Sequence, residues 1–403
     1  MSGERPPGVI RAAFVFSGGA NHWTGGYNYL RNALRVLRLH ESERLQPVLF
    51  LAPEVSPDDT RLLAAEVPEP PIRAEWLASS RRGGRFWKTL LSGSDAAAAH
   101  AFHKERIDVA FEAGEFFGMR FPIPALTWVA DFQSHHLPQF FSRRARWRTY
   151  LGRHLQLLGR RMILLSSRDA EQDCLRFLPR SHGQTLVVPF AVPQPTLVAD
   201  PAIPRSHGLP DRYFYLPNQF WQHKNHRVVI EALAIARAQA PEMVIAASGS
   251  TIDHRDPQFY AVLRDRVGSL GLNESFRFLG LVPAPDVPQL ALQSVALVNP
   301  SLFEGWSTTV EEGKSLGVPL VLSNIGVHRE QAGDRARYFD PHSASATATA
   351  LLEAWRSPSL SPADRLAAAS EDAADRSREF AARLSAALAR AAGAGAAHPS
   401  RQS

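Results

Sequence analysis

Short apolar runs alternate with longer stretches of mixed polarity along most of the chain. In the first half the runs fall at 10–16, 46–52, 107–113, 125–130 and 162–166. Each has the length and composition of a strand, and most of the intervening segments are long enough for a helix. Val187-Val-Pro-Phe-Ala-Val-Pro-Gln-Pro195 then opens a proline-rich stretch that continues to about Pro210 and reads as a linker. Beyond it the pattern restarts, with runs at 213–217, 243–249, 276–281, 296–299, 319–324 and 336–339. Strand and helix in alternation predict a parallel sheet covered by helices on both faces. The chain therefore divides into one α/β domain over 1–195 and a second over 196–360. Residues 361–392, rich in alanine and arginine with few turn residues, predict a long helix, and 393–403 a disordered tail.

Composition agrees with this organisation. A length of 403 residues suits two domains rather than one. No run of eighteen apolar residues occurs, so no membrane-spanning helix is expected. Met1 to Gly8 is polar, contains proline and leads directly into a strand, which argues against a signal peptide. The single cysteine, Cys174, excludes an internal disulfide and a cysteine-based metal site, and cytoplasmic residence is the expectation.

The net charge of +6 is unevenly spread. Residues 142–161 form a basic, helical segment carrying Trp147, Tyr150 and several leucines. Two readings fit it: peripheral contact with an anionic membrane on its inner face, or a partly packed surface helix whose arginines are solvated. Nucleic acid is not an expected partner, because no motif accompanies the basic patch.

The richest chemistry lies in Ala296-Leu-Val-Asn-Pro-Ser-Leu-Phe-Glu-Gly-Trp-Ser-Thr-Thr-Val-Glu-Glu-Gly-Lys-Ser-Leu-Gly-Val-Pro319. It reads as a strand ending at Pro300, a loop, and a helix over 310–316 capped by Thr308 or Thr309 and ended by Gly317 and Pro319. Glu304 then stands in the loop at the strand's carboxyl end, and Glu312 in the first helical turn. The amides of Ser307, Thr308 and Thr309 provide a helix start suited to a phosphate. Two carboxylates beside it suit sugar hydroxyls. A nucleotide-sugar satisfies all three groups.

Glu304 and Glu312 match the Glu-x7-Glu signature of the retaining GT-B glycosyltransferases of the family 4 type, and Gly305, Gly317 and Pro319 fall where that family keeps its glycine and Gly-x-Pro. The chain resembles this family over nearly its whole length, most strongly over 214–341. The resemblance implies a GT-B architecture: two Rossmann-like domains facing across a cleft, with a terminal helix crossing back to the first domain, where Arg378-Glu-Phe-Ala381 looks like the matching element. It implies that Lys224, followed by Asn225, neutralises the donor diphosphate; the family's arginine position holds Gln219, leaving His223, another arginine or helix amides to compensate. Gly25 and Gly26 look like the Gly-Gly that precedes the first helix and meets the diphosphate. Ser248 and Gly249 end a strand in small residues that admit nucleotide atoms, and Leu279 lies in a segment similar to the one that lines the base pocket. Asp131 is the best match to a polar residue near the reacting sugar or acceptor; the usual histidine position holds Ala130, with His135 or His136 as substitutes, each equally suited to a structural role.

The same resemblance implies retaining transfer of a sugar from a nucleotide-diphosphate sugar, without a further cofactor, to a glycan or lipid-linked acceptor. Glu312 would accept from the ribose, Glu304 would orient sugar hydroxyls, and Lys224 with the amides of 307–309 would hold the diphosphate. No Asp-x-Asp is present to bridge a metal to the diphosphate, so metal independence is expected. The segments Trp128-Val-Ala-Asp-Phe-Gln133 and Phe303 to Glu312 are similar to those of cell-surface glycan transferases. Two alternatives stay open: a non-catalytic or regulatory nucleotide-sugar-binding protein, kept alive by Gln219 and Ala130, and a nucleotide-sugar epimerase on the same fold.

Overall fold

The structure, a computed structural model, describes residues 8–18, 24–159, 161–253 and 255–396. The chain forms two compact units. The first comprises Met1–Phe132, Arg143–Ala191 and Arg376–Ser403; the second comprises Gln133–Ser142 and Val192–Asp375.

The first unit is built on strands β1 (Ile10–Phe16), β2 (Leu45–Leu51), β3 (Ile72–Arg73), β4 (Val109–Glu112), β5 (Ala125–Trp128), β6 (Met162–Leu165) and β7 (Thr185–Val187). They pair in the order β3-β2-β1-β4-β5-β6-β7, every pair parallel. Because helices cover a parallel sheet, the central strands are apolar on both faces: Phe14, Phe50 and Phe111 are wholly buried. Tyr29, on the helix Thr24–His40, stacks on Trp128 at 3.8 Å and lies near Phe380 of the terminal helix.

The second unit holds β8 (Phe214–Leu216), β9 (Ile245–Ser248), β10 (Phe276–Gly280), β11 (Leu297–Asn299), β12 (Leu320–Ser323) and β13 (Ala336–Phe339). Their order is β10-β9-β8-β11-β12-β13, again all parallel. The order reverses between β8 and β11. At such a switch point the two following loops leave in opposite directions and open a crevice beyond the strands' carboxyl ends. Those loops carry Gln219 to Asn225 and Ser301 to Ser307.

Every apolar run of the sequence became a strand, with ends within two residues. The two strands without such a run, β3 and β7, are short edge strands that are at most half-buried and so carry no continuous hydrophobic signal. The terminal helix, Pro362–Ala396, runs through Gly393 rather than stopping at 392; residues 397–403 of the expected tail lie outside the described residues. Residues 133–142, expected within the first domain, group with the second unit. His136 there stacks on Phe303 at 4.9 Å, and Gln133 Oε1 accepts from Arg255 Nη1 at 3.2 Å. Among the described residues, no helix is long and apolar enough to cross a membrane.

Candidate functional site

Asn299, the last residue of β11, organises the loop beyond it. Its Oδ1 accepts from Ser301 Oγ at 2.7 Å and from Asn218 Nδ2 at 3.2 Å, and its Nδ2 donates to Ser307 Oγ at 2.8 Å. The cap of the next helix is Ser307, whose side chain accepts from the Val310 amide, so the helix runs over Thr308–Leu316. That corrects the assignment of Thr308 or Thr309 as cap: the hydroxyl already fixed by Asn299 is the one that closes the first turn. It also moves Glu312 from the first helical turn into the second. The Ser307 amide is not free, because it donates to Gln331 Oε1 at 3.1 Å. The first-turn amides of Thr308 and Thr309 remain without an acceptor among the described residues, as helix geometry requires.

Glu304 and Lys224 are brought together. Lys224 Nζ donates to Glu304 Oε1 at 2.6 Å, and Ser301 Oγ lies 2.6 Å from the same oxygen, its one proton shared between Glu304 Oε1 and Asn299 Oδ1. Both side chains are largely buried, at 15% and 10% exposure. Burial pushes the Glu304 carboxyl up, but the Lys224 charge, His328 and the hydrogen bonds from Lys224 and Ser301 outweigh it and hold the group below its ordinary value. Glu304 is therefore a fixed carboxylate. Glu312 differs: its carboxyl takes no hydrogen bond from the described residues, and burial pushes it up to about 7. The two glutamates thus titrate apart, Glu304 being a carboxylate where Glu312 is still partly protonated.

The loop after β8 is held by its neighbours. Asn225 takes a left-handed conformation with φ 54°, and its amide donates to the carbonyls of Pro341 at 2.8 Å and Pro300 at 3.2 Å. The Asn225 side-chain amide thus clamps this loop to the segments at Pro300 and Pro341. Gln219 Oε1 accepts from the Ser250 amide at 2.7 Å, tying this loop to the one after β9. Gly249 has φ +147°, and a side chain there would lie 2.6 Å from the Asn218 carbonyl oxygen. Ser248 Oγ is occupied by Tyr215 Oη at 2.6 Å, and Leu279 lies in β10 beside it in the sheet. His223 is buried and its carbonyl accepts from the Leu302 amide at 2.8 Å, so Lys224 and the Glu304 loop are pinned together by main chain as well.

The remaining candidates fall elsewhere. His136 stacks on Phe303, next to Glu304, while His135 lies in the same short helix, Gln133–His136. Gly25, Gly26 and Asp131 belong to the first unit: the glycines lie in the first turn of the helix Thr24–His40, and the Asp131 carbonyl accepts from Arg153.

Several residues of the site carry no sequence signal. His328 is fully buried; its Nδ1 lies 3.0 Å from the Ser323 carbonyl, and burial pushes it down to about 4 despite the pull of Glu304. Gln331 and Arg255 reach the site through contacts that no local spacing encodes.

Residues 201–373 match the family described as Glycosyl transferases group 1. Over 83 residues the chain is 35% identical to O-antigen chain mannosyltransferase B of Escherichia coli, an alignment that covers 21% of this chain and 22% of that protein. The chain thus spans about a fifth of the length of that curated relative. Among solved structures, a glycosyltransferase from Rickettsia africae superposes with a TM-score of 0.69 over 97% of this chain and 100% of the other, at 13% identity. The Anabaena protein HepE in complex with UDP and glucose superposes with a TM-score of 0.67 over 94% of this chain and 100% of the other, at 15% identity. The fold is GT-B: two Rossmann-like α/β units, each on a parallel sheet.

Proposed function

We propose that this chain is a retaining glycosyltransferase of the family 4 type that moves a sugar from a nucleotide-diphosphate sugar to a hydroxyl acceptor. The observation that carries the reading is the Lys224–Glu304 pair at the carboxyl end of the switch-point strands, beside the open amides of Thr308 and Thr309. A cation and free amides suit a diphosphate, and a fixed carboxylate suits sugar hydroxyls. Glu312, with its carboxyl short of donors, suits the ribose diol. The match of 201–373 to Glycosyl transferases group 1, and the UDP bound by HepE, support a nucleotide-linked donor at this unit.

In the transfer, the bond from the anomeric carbon to the phosphate oxygen breaks and its electron pair stays on that oxygen. The acceptor oxygen bonds to the same face of the carbon, and its proton passes to the departing phosphate. Stabilising the charge on that phosphate is then the main catalytic contribution of the protein. Lys224 and the 308–309 amides take that part and Glu304 orients the sugar; Gly25 and Gly26 are assigned to the diphosphate, Asp131 to the reacting sugar or acceptor, and His135 and His136 to the acceptor side. No divalent ion is required in this scheme.

The likeness to O-antigen chain mannosyltransferase B supports a role in cell-surface polysaccharide or lipid-linked glycan synthesis. Peripheral membrane contact through the helix Arg143–Leu158 is favoured by its exposed Trp147, at 67%, and Tyr150, at 45%.

The deciding experiment incubates the chain with UDP- and GDP-linked sugars and a glycan acceptor mixture, with and without a chelator. Product of unchanged anomeric configuration, undiminished by chelator, is expected. Nucleotide binding without product would instead make this a binding protein, and loss of activity on chelation would overturn the metal-free scheme.

A further inference from the structure

The Lys224 ammonium is largely neutralised by Glu304, so the developing charge on a departing diphosphate needs a donor beyond it. The structure offers one whose state is fixed by geometry. Arg255 Nη2 lies 3.2 Å from His223 Nδ1. A guanidinium has no acceptor atom and keeps its protons, so Nδ1 must accept, and the proton of the neutral ring sits on Nε2. His223 is 5% exposed, and its Nε2 has no partner among the described residues. Here, then, is an N–H with no partner among the described residues, on the residue preceding Lys224, in a loop whose carbonyl is bonded to the Glu304 loop.

Arg255 is itself held in place. Its Nε donates to Asp253 Oδ1 at 3.1 Å, its Nη1 to Gln133 Oε1 at 3.2 Å, and its guanidinium lies 5.4 Å from both the Trp221 and Phe141 rings. The loop that carries it is joined to the His223 loop throughout: the Ser250 amide donates to Gln219, the Phe220 amide to the Ser250 carbonyl at 3.0 Å, Trp221 Nε1 to the Ile252 carbonyl at 3.2 Å, and Gln222 Nε2 to Asp256.

We propose that Arg255 is a positioning residue which locks His223 as the Nε2–H tautomer, and that this N–H donates to the diphosphate of the donor alongside Lys224. The proposal rests on the donor-site reading of the Lys224–Glu304 crevice. Burial, Lys224, Arg255 and His226 together hold the His223 imidazole well below its ordinary value, so it stays a neutral donor across the working range. The hydrogen bond received at Nδ1 polarises the ring and strengthens donation from Nε2.

The test uses the full chain with UDP and GDP as probes, calorimetry for binding, and 15N-histidine NMR for the tautomer. His223→Phe should weaken binding of whichever nucleotide the wild type takes by roughly ten- to a hundredfold, the worth of one hydrogen bond to a charged group. His223→Gln, whose amide nitrogen reaches near the Nε2 position, should recover most of that loss. Arg255→Met should cost several-fold in the wild type, shift the His223 nitrogen signals away from the Nε2–H pattern, and cost nothing further in the His223→Gln background. An equal cost of Arg255→Met in both backgrounds would mean that Arg255 reaches the phosphate itself, and would overturn the proposal. So would an Nδ1–H or imidazolium spectrum for the wild type. If the wild type binds and His223→Phe binds equally well, this inference falls while the donor site stands. If the wild type binds neither nucleotide, the donor-site reading and this donation fall together.

Discussion

Glu312→Gln isolates the least satisfied group in the site. Burial raises the carboxyl from an ordinary 4.5 to about 7, with no compensating hydrogen bond among the described residues. In the unfolded chain the group titrates normally, so folding is penalised wherever the unfolded carboxyl is ionised and the folded one resists ionisation. The relative stability is fully present below 4.5, is lost as pH rises, and is gone above about 7. A shift of that size corresponds to about 3 kcal/mol at its upper bound. Glutamine keeps the shape and removes the charge. Urea unfolding of wild type and variant at several pH values should therefore give a variant more stable by ~2–3 kcal/mol at about pH 8.5 and equal within error near pH 4.5. Taking the difference cancels the histidines, which are common to both proteins.

The same substitution should weaken nucleotide binding, because glutamine offers one neutral acceptor oxygen and an NH2 donor where the carboxylate offers two charged acceptor oxygens. If Glu312 meets a ribose diol, binding favours the ionised form, so nucleotide affinity in the wild type should rise with pH through about 7 and binding should release a proton. Calorimetry in buffers of different ionisation enthalpy counts that proton. A pH-independent difference in stability, or a variant less stable than wild type in the alkaline range, would refute the reasoning about burial. Stabilisation with unchanged nucleotide affinity would refute the ribose assignment alone.

Three other outcomes are expected. Lys224→Met leaves a nearly buried carboxylate uncompensated and should destabilise the chain by ~3 kcal/mol, whereas Lys224→Met with Glu304→Gln should regain most of that stability and still lack transferase activity; thermal melts and donor turnover separate the two effects. His226 and His328 are buried neutral, pushed down to about 3 and about 4, so each contributes stability that is lost as pH falls below its unfolded value of 6.5, and replacing His328 with Gln should flatten the acid limb of the denaturation profile between pH 6.5 and 4. Gly249→Ala forces a side chain into a strained backbone region 2.6 Å from the Asn218 carbonyl and should cost at least ~2 kcal/mol together with nucleotide binding.

The strands were legible because parallel sheets bury both faces and leave uninterrupted apolar runs, whereas the order in which they pair, and with it the switch point between β8 and β11, was not. Glu304 and Glu312 stand out by their Glu-x7-Glu spacing and Lys224 by the resemblance of its segment, and in the fold Lys224 meets Glu304. The charge states of those groups, and the contacts that hold them, have no such local signature. Asn299 and Gln331 act through contacts between segments that are distant in sequence, and the capping residue Ser307 differs from its threonine neighbours only in being the one that Asn299 reaches.

Gln219 shows why a substitution at one position can be understood only through its neighbours. Taken alone, it replaces a cation with a neutral amide at a place where negative charge is expected. In the fold its carbonyl oxygen grips the Ser250 amide, and the Gly249 backbone approaches closely enough to allow that grip only because it lacks a side chain. This fastens the 249–256 loop across the 218–223 loop, and the fastened loop brings Arg255 onto His223. An arginine at 219 would have no use for the Ser250 amide, since it has donors only, and the loop would lose its anchor. Positive charge thus lies on Arg255, in the loop behind Gln219, and bears on the imidazole of His223. Gln219→Arg should not improve donor binding: it should loosen the Arg255 loop and lower affinity for the nucleotide, and a gain in affinity would show that the two arrangements are independent rather than alternatives.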